Sequence, residues 1–167
     1  DEFQCDGENT CSNAVVSTER LEKFSCEGYR SCYEGSFAFY DPANDFTISC
    51  EGDSACKSAD IALFYSAGAT DLAVSSIECE SSQACEFMTL TITNAGSDVV
   101  YIKELKCEGF EACDTLQVST TGLVLIEKCI CEEPEPYACM CTSGLTDICV
   151  TFEGEWSSSG TGAYGCS

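Results

Sequence analysis

Histidine is absent from the 167 residues, and cationic side chains are scarce: 7 lysines and arginines stand against 29 aspartates and glutamates, a formal charge of −22 at pH 7. Without imidazole there is no side chain that titrates near neutrality unperturbed, so histidine-dependent triads and histidine metal ligation are excluded. So few cations cannot neutralise a phosphate backbone, which excludes sequence-independent nucleic-acid binding. An anionic membrane surface would repel the chain, and no apolar run reaches the roughly 20 residues that span a bilayer, so no membrane insertion is expected. The length suits one domain with room for a core.

What the chain has in excess is cysteine, 16 residues in all. An even number at regular spacing argues for up to eight disulfides, made in an oxidising compartment, and hence for a secreted, extracellular protein. The first residue, Asp1, fits a mature chain from which a signal peptide has gone.

Ten of the cysteines belong to a motif of seven residues that occurs five times: CDGENTC (Cys5, Cys11), CEGYRSC (Cys26, Cys32), CEGDSAC (Cys50, Cys56), CESSQAC (Cys79, Cys85) and CEGFEAC (Cys107, Cys113). Successive copies start 21, 24, 29 and 28 residues apart, as fixed segments joined by variable turns would. Between copies, residues three, five and seven places after the second cysteine are mostly apolar. Phe37 and Phe39, Ile61 and Leu63, Leu90 and Ile92, and Leu116 and Val118 are examples. That is the period of a strand with one buried face. A second apolar position precedes each following motif by two residues, at Phe24, Ile48, Ile77 and Leu105. Turn formers such as Asp41-Pro42-Ala43-Asn44-Asp45 and Asn94-Ala95-Gly96 separate the two strands. Residues 16–24 are less regular and fit a short helix equally well.

A unit of this kind cannot bury its apolar face alone; stacking units in parallel makes a continuous core. The fold expected is all-β: a right-handed parallel β-helix, or solenoid, of about five disulfide-stapled coils over residues 1–128, with a cysteine-rich C-terminal cap or assembly segment over 129–167. The coil length resembles that of three-sided β-helices such as pectin-degrading enzymes and tailspike-type proteins. That likeness is of fold only and brings no catalytic motif. The cysteine-bounded repeat itself is similar to repetitive secreted proteins of marine algae and other protists.

Bonds within each motif, beginning with Cys5 to Cys11, fit a tight corner that brings the two Cα atoms within bonding range. The rival scheme joins each second cysteine to the next coil, as Cys11 to Cys26. Near the C-terminus, Cys129, Cys131, Cys139 and Cys141 flank Pro134 and Pro136 in a hairpin-like order. This suggests Cys129 with Cys141, Cys131 with Cys139, and Cys149 with Cys166. Four thiolates there could also hold zinc, but an oxidising environment favours disulfides.

The second motif position is always acidic: Asp6, Glu27, Glu51, Glu80 and Glu108. Coils in register would align these carboxylates in a column at about 5 Å spacing, where like charges repel or recruit cations. Calcium, which takes oxygen ligands alone, is the candidate ion for this column; no other cofactor is expected. The alternatives are a solvated acidic edge, or carboxylates bonded to the corner's own backbone.

No arrangement of residues singles out an enzyme, and Thr89, Thr91 and Thr93 are too local for an ice-binding array. Tyr29, Tyr33, Phe110 and Trp156 are candidate contact aromatics. Only Asp1 to Gln4 precede the first motif, so the coil around Val16, Leu21 and Phe24 is expected either to be uncovered and to meet the C-terminal segment of another copy, head to tail, or to be closed by the irregular first unit folding over as its own cap. The function expected is a non-enzymatic structural subunit of a filament, sheath, hair or matrix. The alternative is a monomeric calcium-responsive adhesion or matrix module with a glycan or matrix partner.

Overall fold

The computed structural model describes residues 1–68, 73–132, 139–141, 145, 147–154 and 156–158, and lays strands down two to a coil. Sheet A stacks seven in parallel: β1 (Glu2–Asp6), β3 (Lys23–Glu27), β5 (Phe46–Glu51), β7 (Ala73–Glu80), β9 (Val100–Glu108), β11 (Val124–Glu132) and β13 (Cys149–Gly154). Sheet B stacks five: β2 (Val15–Glu19), β4 (Ser36–Tyr40), β6 (Asp60–Tyr65), β8 (Thr89–Asn94) and β10 (Gln117–Thr121). A short parallel pair, β12 (Cys139–Cys141) and β14 (Trp156–Ser158), completes the described strands. The chain is an all-β parallel solenoid of about six turns.

The alternating residues face one core, as their period requires. On sheet B, Phe37 pairs with Ile61 and Ile61 with Leu90, and Phe39 with Leu63 and Leu63 with Ile92, all of them buried. On sheet A, Phe24, Ile48, Ile77 and Leu105 form the facing column. Residues 16–24, where a helix was an open alternative, contain β2 and the start of β3, with Leu21 buried at the corner between them.

The third side of each coil is an arch rather than a strand. In all five motifs the third, fifth and ninth residues from the first cysteine take positive φ, as in Gly28, Arg30 and Glu34, or Gly109, Glu111 and Thr115. In the first four motifs their backbone donors are satisfied by the next coil. Gly28 N–H donates to the Glu51 carbonyl at 3.1 Å, Arg30 N–H to Asp53 at 3.0 Å and Glu34 N–H to Lys57 at 3.1 Å. Glycine at the third position does more than tolerate φ: a Cβ on Gly109 would lie 2.8 Å from the Ser81 carbonyl carbon, and one on Gly28 2.9 Å from the Gly7 carbonyl oxygen. Ser81 is the copy that carries a side chain there, at φ 116°.

Each motif closes on itself. Cys5–Cys11, Cys26–Cys32, Cys50–Cys56, Cys79–Cys85 and Cys107–Cys113 are bonded with Cα separations of 5.7 to 5.9 Å, so the coil-to-coil scheme does not occur. Cys131–Cys139 is bonded as the sequence suggests. The other two C-terminal pairings need correction, because Cys129 is bonded to Cys149, so Cys129 is not joined to Cys141 nor Cys149 to Cys166. The reason is strand placement: β13, which begins at Cys149, lies beside β11, whereas β12 pairs with β14 and makes no hairpin with residues 129–131. The side chain of Cys141, and Pro134, Pro136 and Cys166, lie outside the described residues.

Six turns rather than five arise because one coil lacks the motif spacing. Cys131 and Glu132 pair with Cys107 and Glu108 in the same register as earlier coils, but the loop to Cys139 is two residues longer. Sheet A therefore passes through the division drawn at residue 128, and β13 adds a further strand beyond it.

Candidate functional site

Two features stand out on this scaffold: a row of carboxylates along sheet A, and the terminal coils. Register carries Asp6 to Glu27, Glu27 to Glu51, Glu51 to Glu80 and Glu80 to Glu108, so all five expected carboxylates share one column. The row continues to Glu132, which the motif search missed because that coil's cysteines are eight residues apart. A bare Cys-Glu pair two residues after an inward Cys129 was the signal that could have found it.

Like charges at the strand spacing of about 4.8 Å repel, and the sheet offsets this locally. Ser25 and Ser49 sit two residues earlier on the same outward face, where their hydroxyls donate to Glu27 and Glu51, each at 2.6 Å. Both serines are buried beneath these contacts. Glu27 and Glu51 are thus held by side-chain hydroxyls of their own strands. Further along, the Lys106 ammonium lies 3.2 Å from Glu80 and 2.5 Å from Glu108. The hydrogen bond to Glu108, followed by the bond and charge of Glu80, pushes the Lys106 pKa above its ordinary value, outweighing the opposing desolvation.

The fit to calcium follows from this geometry. The ion takes six to eight oxygens, whereas adjacent strands offer single carboxylates in a row. Calcium held between Glu27 and Glu51 would keep most of its water. Between Glu80 and Glu108 the place of a cation is filled by Lys106. The sulfur atoms of Cys5, Cys26 and Cys32 lie within 4.8 Å of one another, but all three are in disulfides and present no thiolate. Cys129, Cys131 and Cys139 are likewise bonded, which removes the four-thiolate zinc alternative.

On the arch side, Tyr29 and Phe110 are exposed, and the Arg30 guanidinium lies 5.2 Å from the ring centroids of both Tyr29 and Tyr33. Beside them Lys57 pairs with Glu86, and Gln83 bridges Lys57 and Glu111 at 3.3 and 2.9 Å. Trp156 packs edge-on against Phe152 at 5.3 Å and donates its Nε1–H to the Glu153 carbonyl.

Of the three residues expected at an assembling end, only Val16 is half-exposed. Leu21 and Phe24 are buried, 4% and 0% exposed. For Phe24 the short segment before the first motif accounts for this. It forms β1, whose Phe3 stacks on Phe24 at 5.9 Å and lies 6.3 Å from Phe37. Phe3 is itself half-buried and stands at one end of the inward column that runs through Phe24, Ile48, Ile77, Leu105 and Cys129 to Phe152, half-buried at the other end.

Comparison with protein-family models, with curated proteins and with solved structures returns no match.

Proposed function

We propose that the chain is a non-enzymatic, extracellular structural protein that assembles with copies of itself, head to tail, into a filament, sheath, hair or matrix layer. The observation that carries this is the pair of matching ends. Within the described residues β1 and β13 are the two edges of one parallel sheet, and each ends the same inward column on a half-buried phenylalanine. Joining β13 of one copy to β1 of the next would continue the ladder and enclose Phe152 against Phe3. An edge strand left unpaired offers its backbone groups to such an extension, and a head-to-tail contact that does not close gives a fibre. The seven disulfides among the described residues, buried or partly buried, fit an oxidising, extracellular setting, where a resistant material is useful.

The acidic row supports a second reading, a monomeric calcium-responsive adhesion or matrix module with a glycan or matrix partner, in which loosely held divalent ions screen six aligned carboxylates. Sedimentation and electron microscopy with and without chelator separate the two. Polymer in both conditions is the outcome for backbone-driven assembly. A uniform monomer that changes shape or partner with calcium would establish the second reading.

A further inference from the structure

The outer face of sheet B contrasts with the acidic face of sheet A. Register places three outward residues on each of its five strands, and in a chain of charge −22 only Glu19 and Asp60 among them are charged. The middle column is Ser17, Ala38, Ala62, Thr91 and Ser119, small throughout. Beside it stand Tyr40 and Phe64, whose rings stack at 4.8 Å with an interplanar angle of 11°. Tyr40 is 41% exposed. The surface is a flat strip of small side chains bordered on one side by an aromatic ridge.

We propose that this face is a lateral contact between two copies of the chain, paired about a two-fold axis so that the Tyr40–Phe64 ridge of each lies in the small-residue strip of the other. Charge selects the face, because an approach through sheet A sets one carboxylate row against another, whereas self-repulsion is least here. Shape suits a second copy, since a two-fold contact needs one surface that complements itself, and a ridge beside a strip does so. Area sets the strength. Five strands about 4.8 Å apart and five residues rising about 3.3 Å each give a footprint of about 400 Å² per copy, about 800 Å² for the pair, short of the roughly 1,200 Å² total of a stable pair. Single copies therefore pair weakly, and pairing becomes firm when copies joined end to end multiply the contact. That strengthening rests on the assembly proposed above; the pairing face does not.

The test replaces Tyr40 with the photo-crosslinker p-benzoylphenylalanine in the full chain and maps the crosslinked peptides after irradiation. Crosslinks between copies that land on β4 and β6 near Ala38 and Ala62 are expected. Introducing Ala62→Glu, on a half-exposed outward position, should cut their yield at least tenfold without moving the unfolding midpoint. Ser119→Glu, at an exposed position of the same strip, serves if Ala62→Glu disturbs the fold. Crosslinks that are absent at high concentration, or that land on β1 or β13, would overturn the proposal. Crosslinks without any polymer would leave it standing and overturn the end-to-end reading alone. Co-sedimentation with crystalline polysaccharide that Ala62→Glu abolishes, without crosslinks between copies, would reassign the face to a saccharide surface.

Discussion

Gly109 and Ser81 occupy equivalent positions in adjacent arches and meet at van der Waals limits, so they report the same constraint with opposite sign. Gly109→Ala adds a Cβ 2.8 Å from the Ser81 backbone at a φ of 118°, and should cost about 1 to 3 kcal/mol by forcing the two coils apart. Ser81→Gly relieves a serine held at φ 116°. It should gain about 1 kcal/mol, net of the extra unfolded-state entropy of glycine. Urea unfolding of both variants beside the parent chain measures the pair. Lys106 is the third informative residue. Its pKa is raised in the folded chain, chiefly by the hydrogen bond to Glu108 and then by Glu80. A raised basic group lends stability in full below its unfolded value of about 10.4 and loses it as pH climbs through the higher folded value. The stability difference between the parent and Lys106→Gln should therefore hold steady through neutral pH and shrink only in strong alkali, as read by denaturant midpoints at several pH values. A difference that vanished already at pH 8 would show that Lys106 does not tie Glu80 to Glu108.

Strands are where the physics of the chain was most legible beforehand. Alternation of the Phe37, Ile61 and Leu90 kind decides which face is buried, and a repeat whose faces all match can bury them only by stacking. Ile61, 1% exposed between Phe37 and Leu90 in the same column, is the direct probe. Ile61→Ala should cost about 2 to 5 kcal/mol, and calorimetry showing a loss under about 0.5 kcal/mol would contradict enclosure. The arch was much less legible. Its fifth and ninth positions hold Asn9, Arg30, Ser54, Gln83 and Glu111, then Asn13, Glu34, Ser58, Phe87 and Thr115, which share no turn propensity yet all take positive φ. Backbone bonds from coil to coil impose that conformation, so only the glycine of the third position left a trace in the sequence. Two of the three C-terminal pairings failed for a related reason. Cys129 lies in the inward column next to Leu105 and is bonded to Cys149 of the neighbouring coil, a relation set by stacking. Spacing along the chain could not reveal it.

Taken together, the coils form a rod with unlike sides: sheet A with its acidic row, an arch stapled once per motif, and sheet B with little charge. A charge of −22 disfavours side-by-side contact wherever carboxylates meet, which is why the proposed assembly uses the coil ends and sheet B. The ends were only half readable from sequence, because Phe24, exposed by position in the chain, is covered once Phe3 joins the sheet, and Leu21 is buried as well. Val16 remains half-exposed at the end of the column that continues through Phe37, Ile61 and Leu90. A glutamate there should leave the deeper coils intact and place a carboxylate where the next copy would seat in the proposed assembly. Sedimentation velocity of the parent chain beside Val16→Glu, with circular dichroism to confirm that both are folded, is the decisive measurement. The expected result is polymer from the parent, insensitive to chelator, and monomer from Val16→Glu; a parent that sediments as a uniform monomer at every concentration, or a Val16→Glu variant that polymerises unchanged, would contradict assembly through this end.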